Sequence, residues 1–120
     1  MTQEDRKLLL KDLSVRLPYE VFLKIGEYSD YTLQGIVPSN INKPLLVRCN
    51  GSDFDCSIEV VKPYLRQLSS MTEEEKTELF QLMGNGTDIQ RIDFYLSHHF
   101  DYRGLIEKGL ALEAPEGMYN

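Results

Sequence analysis

Positive charge is scarce in this chain of 120 residues: thirteen lysines and arginines stand against nineteen aspartates and glutamates. The net charge of −6 repels a phosphate backbone, which argues against non-specific nucleic-acid binding. All of the excess lies in residues 72–120, which hold ten carboxylates and four bases. Cysteine is nearly absent as well. Cys49 and Cys56 are the only two, so a disulfide framework is excluded, and in a reducing cytosol both are thiols. No apolar run approaches the ~20 residues of a membrane span. The opening MTQEDRKLLLKD has three leucines flanked by charges where a signal peptide has its apolar core. The expectation is a cytoplasmic protein without membrane contact. Internal repeats and low-complexity segments are missing too. What remains is ordinary: 42% apolar and 27% charged residues, enough for one core in a single domain spanning 1–120.

Thr2 followed by Asp5 is a capping box, and Leu9, Leu10, Leu13 and Leu17 recur at helical spacing. A helix over 3–16 follows, stopped by Pro18, which disfavours the α conformation at Leu17. The period then changes to two. In YEVFLKI, residues 19–25, Tyr19, Val21, Leu23 and Ile25 alternate with Glu20, Phe22 and Lys24, predicting a half-buried strand. GEYSD is a turn, and YTLQGIV, residues 31–37, is a second strand with a bulge point at Gly35. LLVRC, residues 45–49, is a third, and NGSD turns the chain. FDCSIEVV, residues 54–61, alternates most cleanly, with Phe54, Cys56, Ile58 and Val60 facing inward. KPYLRQL could add a last short strand.

Thr72 and Glu75 form a second capping box before a helix at 72–83, with an apolar stripe at Leu79, Leu82 and Met83. Asp88 reads as the cap of a third helix, 89–100, carrying Ile89, Ile92, Leu96 and Phe100. Leu105, Leu110 and Leu112 need cover, so the tail should lie across the surface. The expected fold is α+β: a small four- to five-stranded antiparallel sheet or incomplete barrel over 19–61, packed with three helices, the C-terminal half 72–112 being helical.

The polar cluster YLSHHFDYRGL raises the question of a metal. Adjacent His98 and His99 point about 100° apart on a helix, and His98 with Asp101 supplies at most two ligands of the three a catalytic zinc takes from protein. His98, His99 and Asp101 are therefore metal candidates opposed by a simpler role, a histidine-rich helix end favoured by the helix dipole. A Cys–His dyad would need Cys49 or Cys56 at a mouth of the sheet, whereas both fall on inward faces, and as expected cross-strand neighbours they could pair as a disulfide only under oxidising conditions. Glu73 to Glu75 suits a helix N-terminus, and GNGTD lacks the lysine of a phosphate loop. No catalytic residue and no cofactor motif emerges. The least acidic patch is Lys62, Tyr64 and Arg66, with Arg48 and Lys43 as possible neighbours, and it defines a ligand-binding alternative.

VKPYLRQLSSMTEEEK, residues 61–76, and HHFDYRGLIEKGLALEAPEGMY, residues 98–119, resemble small proteins of unassigned activity encoded by prophages and other mobile elements of Bacteroides-type gut bacteria. The leading helix followed by LPY is similar too. These stretches cover about a third of the chain. The resemblance implies a phage-like accessory protein in a bacterial cytoplasm and assigns no site. The function expected is a non-enzymatic interaction module that binds a host or phage protein. The alternative is a small-ligand or nucleic-acid binder using the sheet face near Arg48, Lys62, Tyr64 and Arg66.

Overall fold

The computed structural model describes residues 1–119. Helix α1 spans Gln3–Arg16, and the Thr2–Asp5 capping box is present with both of its reciprocal hydrogen bonds. Leu9 and Leu13 are fully buried, and Leu10 and Leu17 pack against the same core. The helix does not end for the expected reason, because Leu17 keeps helical angles. It ends because Pro18 has no N–H to bond the carbonyl four residues back, and Tyr19 N instead closes a tight turn onto Arg16 O at 2.9 Å.

Strands β1 (Phe22–Ile25) and β2 (Tyr28–Ile36) form a hairpin closed by Gly26 and Glu27. Gly26 has φ +61°, which a glycine adopts without steric cost. This two-residue turn starts β2 earlier than the expected residue 31. It leaves Tyr19–Val21 outside β1, although Val21 is buried as expected. β2 slips register between Leu33 and Gly35 as it pairs with β3 (Leu45–Cys49), which places a bulge beside Gly35. Asn50 and Gly51, both at positive φ, turn β3 into β4 (Ser52–Cys56).

The even alternation of residues 54–61 hides a break. The Ser57 hydroxyl accepts from Glu59 N at 3.2 Å and starts a single 3-10 turn over Ile58–Val60. Cys56 and Ile58 are buried as expected, but Phe54 and Val60 are 40% and 52% exposed and do not face inward. β5 (Val61–Leu65) then lies antiparallel beside β1. A further strand, β6 (Leu112–Glu113), pairs parallel to β5, and Ala114 N continues onto Leu65 O at 2.7 Å. The sheet order is β4-β3-β2-β1-β5-β6. The architecture is α+β with an open, mixed six-stranded sheet; it is neither wholly antiparallel nor a barrel. The C-terminal tail supplies the parallel strand, and Leu105 and Leu110 are buried in the core beside Leu23, Leu33, Val47 and Leu65.

Helices α2 (Glu73–Asn85) and α3 (Asp88–Ser97) are joined by Gly86 and Thr87. Thr87, not Asp88, is the α3 cap, paired with Gln90 in a third capping box. α3 stops at Ser97, short of the expected residue 100, because His99 adopts φ +62° and turns the chain into Phe100. No helix among the described residues is long and apolar enough to cross a membrane.

Candidate functional site

Arg66 follows β5 and is held at both backbone groups. Its N–H donates to His99 O at 2.8 Å, and its carbonyl accepts from Asp101 N at 2.9 Å. This fixed backbone aims the guanidinium at Glu75, with Nη1 2.7 Å from Oε2 and Nη2 2.8 Å from Oε1. The planar fork matches the carboxylate at two points, and it also lies over the Phe100 ring, 4.3 Å from its centroid. Glu75 is the third residue of α2, so the same carboxylate caps the helix by accepting from Thr72 N at 2.9 Å. His98 Nδ1 lies 3.0 Å from Glu75 Oε2. One carboxylate thus ties β5, α2 and the end of α3 together. The Arg66 hydrogen bonds, followed by the smaller effects of the cap, hold its carboxyl down at about 2 against burial, which opposes them.

A groove of about 680 Å³ opens beside this node, lined by Arg66, Glu74, Glu75, His98, Glu113 and Tyr119 among others. The stretches 61–76 and 98–119 both contribute to it. Tyr119, which lines it, is held in place: the hydroxyl donates to Tyr64 O at 2.7 Å and accepts from Phe22 N at 2.9 Å. Burial pushes this phenol up to about 12. The His99 ring stacks on Tyr119, centroids 3.7 Å apart and planes at 12°. Burial, then the charges of Arg16, Arg66 and His98, lower His99 to about 4, so it is neutral near pH 7.

The metal candidates separate. His98 caps α3 and faces Glu75, His99 stacks on Tyr119, and Asp101 accepts Leu105 N at 2.8 Å and Ile106 N at 2.9 Å to shape the following turn. The helix ends before any of the three, so no shared helical face unites them. Among the described residues, no three histidine, cysteine or carboxylate side chains are grouped to hold a metal ion. The cysteines separate too. Cys49 faces Ser52 and Cys56 faces Leu45, at opposite ends of the β3–β4 pairing, so they are not cross-strand neighbours.

The sheet-face residues divide in the same way. Arg48 is exposed on β3 and forked onto its cross-strand neighbour Asp53, at 2.6 and 3.1 Å. β2 and β1 stand between it and β5. Tyr64 is buried, its hydroxyl 2.8 Å from Ser29 Oγ, and Arg66 is committed to Glu75. Lys62 alone is exposed without an ion pair among the described residues, and the β1–β5 register sets Lys24 directly opposite it. The two lysines line a depression of about 240 Å³ together with Gly26, Glu59, Val60 and Leu112. Glu59 is held by Arg6. Like charges directly opposite are unfavourable across a strand pair. Lys24 escaped the sequence reading because only the β1–β5 pairing, which crosses some forty residues of chain, brings it to Lys62.

The α2–α3 hairpin differs from the rest of the surface. Phe80, Met83, Ile89 and Ile92 are 78%, 66%, 73% and 42% exposed. The expected packing of Met83, Ile89 and Ile92 is therefore corrected; on these helices Leu79 and Leu82 are half-buried, and Phe94 and Leu96 buried. Arg91 fastens the two helices by donating Nη1 to Leu82 O at 3.1 Å and to Gly86 O at 3.0 Å. Gly86 is required here, since a Cβ would stand 2.6 Å from Leu82 O. The exposed side chains thus sit on a braced corner. Compared with protein-family models, curated proteins and solved structures, the chain finds no match in any of the three.

Proposed function

We propose that this chain is a non-enzymatic interaction module, a cytoplasmic phage-type accessory protein that engages a host or phage protein through the outer surface of the α2–α3 hairpin. The observation that carries this reading is the exposure of Phe80, Met83, Ile89 and Ile92 within thirteen residues on two braced helices. Apolar exposure concentrated in this way marks a contact surface more often than an accident of folding. Because these side chains are outside the core, serines at Phe80 and Ile89 should leave the fold intact. The expected result is that cross-linking in a bacterial host joins the wild-type chain to a discrete partner, and that Phe80→Ser/Ile89→Ser abolishes the adduct while circular dichroism is unchanged. An adduct that survives the double substitution, or turnover of esters, phosphoesters or nucleotides by the pure protein, would sink the reading.

A second reading, a small-anion binder, is favoured by the Lys24–Lys62 pair. A phosphate-type anion between the two ammonium groups would relieve their repulsion. Inorganic phosphate is then expected to raise the melting temperature of the wild type but not of Lys62→Gln, which should itself melt slightly higher in phosphate-free buffer. Equal response of both proteins to phosphate would discard this site.

A further inference from the structure

The hairpin carries chemistry as well as apolar surface. Residues 72–93 hold six carboxylates and two bases. Both bases are engaged within the hairpin, Lys76 with Glu73 at 3.3 Å and Arg91 with Asp88. Asp93, one turn from Ile89 on α3, has no basic partner among the described residues. The apolar side chains come in two pairs, Phe80 with Met83 and Ile89 with Ile92, each three residues apart on its helix. That spacing puts both members of a pair on one helical face, the ridge that another helix packs against.

Four occupants could cover such a surface, and charge discriminates among them. Nucleic acid and an anionic membrane are repelled by the carboxylate excess. A second copy would bring the same acidic segment against itself within a chain of net charge −6. A helix of another protein that presents large apolar side chains flanked by lysine or arginine satisfies both properties at once. Resting on the interaction-module reading above, we propose that the α2–α3 hairpin is a docking surface for a cationic amphipathic helix of a partner protein. Apolar contact at Phe80, Met83, Ile89 and Ile92 supplies the affinity, and the carboxylate excess of the hairpin, with the unpaired Asp93 one turn from Ile89, selects the sign of the partner's charge.

The probe is a fluorescent leucine–lysine peptide patterned at helical spacing, with a leucine–glutamate peptide of the same pattern beside it, followed by anisotropy. The leucine–lysine peptide is expected to bind the wild type and to weaken at least about tenfold with Phe80→Ser/Ile89→Ser, whose net charge is unchanged. Asp93→Asn should weaken binding less and flatten its dependence on salt. Equal binding of the lysine peptide to wild type and the serine variant would reduce the effect to surface charge and overturn the proposal. Equal binding of the glutamate peptide would overturn the partner's charge and leave the apolar surface standing. Sedimentation showing a wild-type dimer that the serine variant loses would assign the surface to a second copy, and binding to phosphatidylcholine vesicles that the variant loses would assign it to a membrane. If neither peptide binds, the cationic helix is excluded, and the interaction module is still judged separately by the cross-linking comparison.

Discussion

Asp12→Ala is expected to destabilise the fold by about 3–5 kcal/mol, measured as the shift in urea unfolding. Asp12 and Arg16 are both fully buried and form a forked pair one helical turn apart, with Arg16 Nε 2.7 Å from Asp12 Oδ2. Arg103 reaches the same carboxylate, its Nε 3.2 Å from Oδ1, and Arg16 Nη2 donates to Phe100 O at 2.8 Å. Removing Asp12 leaves a buried guanidinium without its counter-charge, which is the costly half of breaking such a pair. The double substitution Asp12→Leu/Arg16→Met should cost much less than Asp12→Ala, because desolvation of two charges offsets most of their attraction. If the double variant unfolds as easily as the single one, the orphaned Arg16 charge does not account for the cost of Asp12→Ala.

Acid should unfold the chain in two overlapping stages. His99 sits at about 4 against an ordinary 6.5, so the unfolded chain takes up its proton first. Its neutral form contributes fully above pH 6.5, and that contribution is lost as pH falls toward 4. Glu75 sits at about 2 against 4.5, and again the unfolded state protonates first. Stability from the Arg66–Glu75 node is complete above pH 4.5 and is lost as pH falls toward 2. Melting temperature followed against pH should therefore decline across both windows. His99→Asn, an asparagine being tolerant of positive φ, should flatten the upper decline, and Glu75→Gln the lower one. Glu75→Gln should also lower stability near neutral pH by about 2–3 kcal/mol, since it weakens a charge-assisted fork and a helix cap together. A pH profile that neither substitution changes would mean that other groups govern the acid transition.

Local chemistry was legible where it needed no distant partner. The Thr2 and Thr72 capping boxes, the bounds of β3, the Asn50–Gly51 turn and the bulge by Gly35 all follow from neighbouring residues whose side chains or conformational limits act within a few positions. Ser57 shows where that ends. The alternation through it is uninterrupted, yet one hydroxyl bonding the backbone two residues on was enough to break the strand.

The sequence by itself determined the α+β class, the three helices and the acidic character of the C-terminal half, because periodicity, caps and charge are properties of the chain in order. Tertiary structure alone decided which apolar faces are covered. Ile89 and Ile92 carry the same helical period as a core stripe, but only the placement of α3 leaves them in solvent. It also decided that Glu75, a capping residue by sequence, meets Arg66 and His98, and that the tail adds a parallel strand beside β5. These pairings join residues far apart along the chain. A one-dimensional pattern holds their hydropathy and charge, but the partner each one meets is set by how the sheet and helices close on one another.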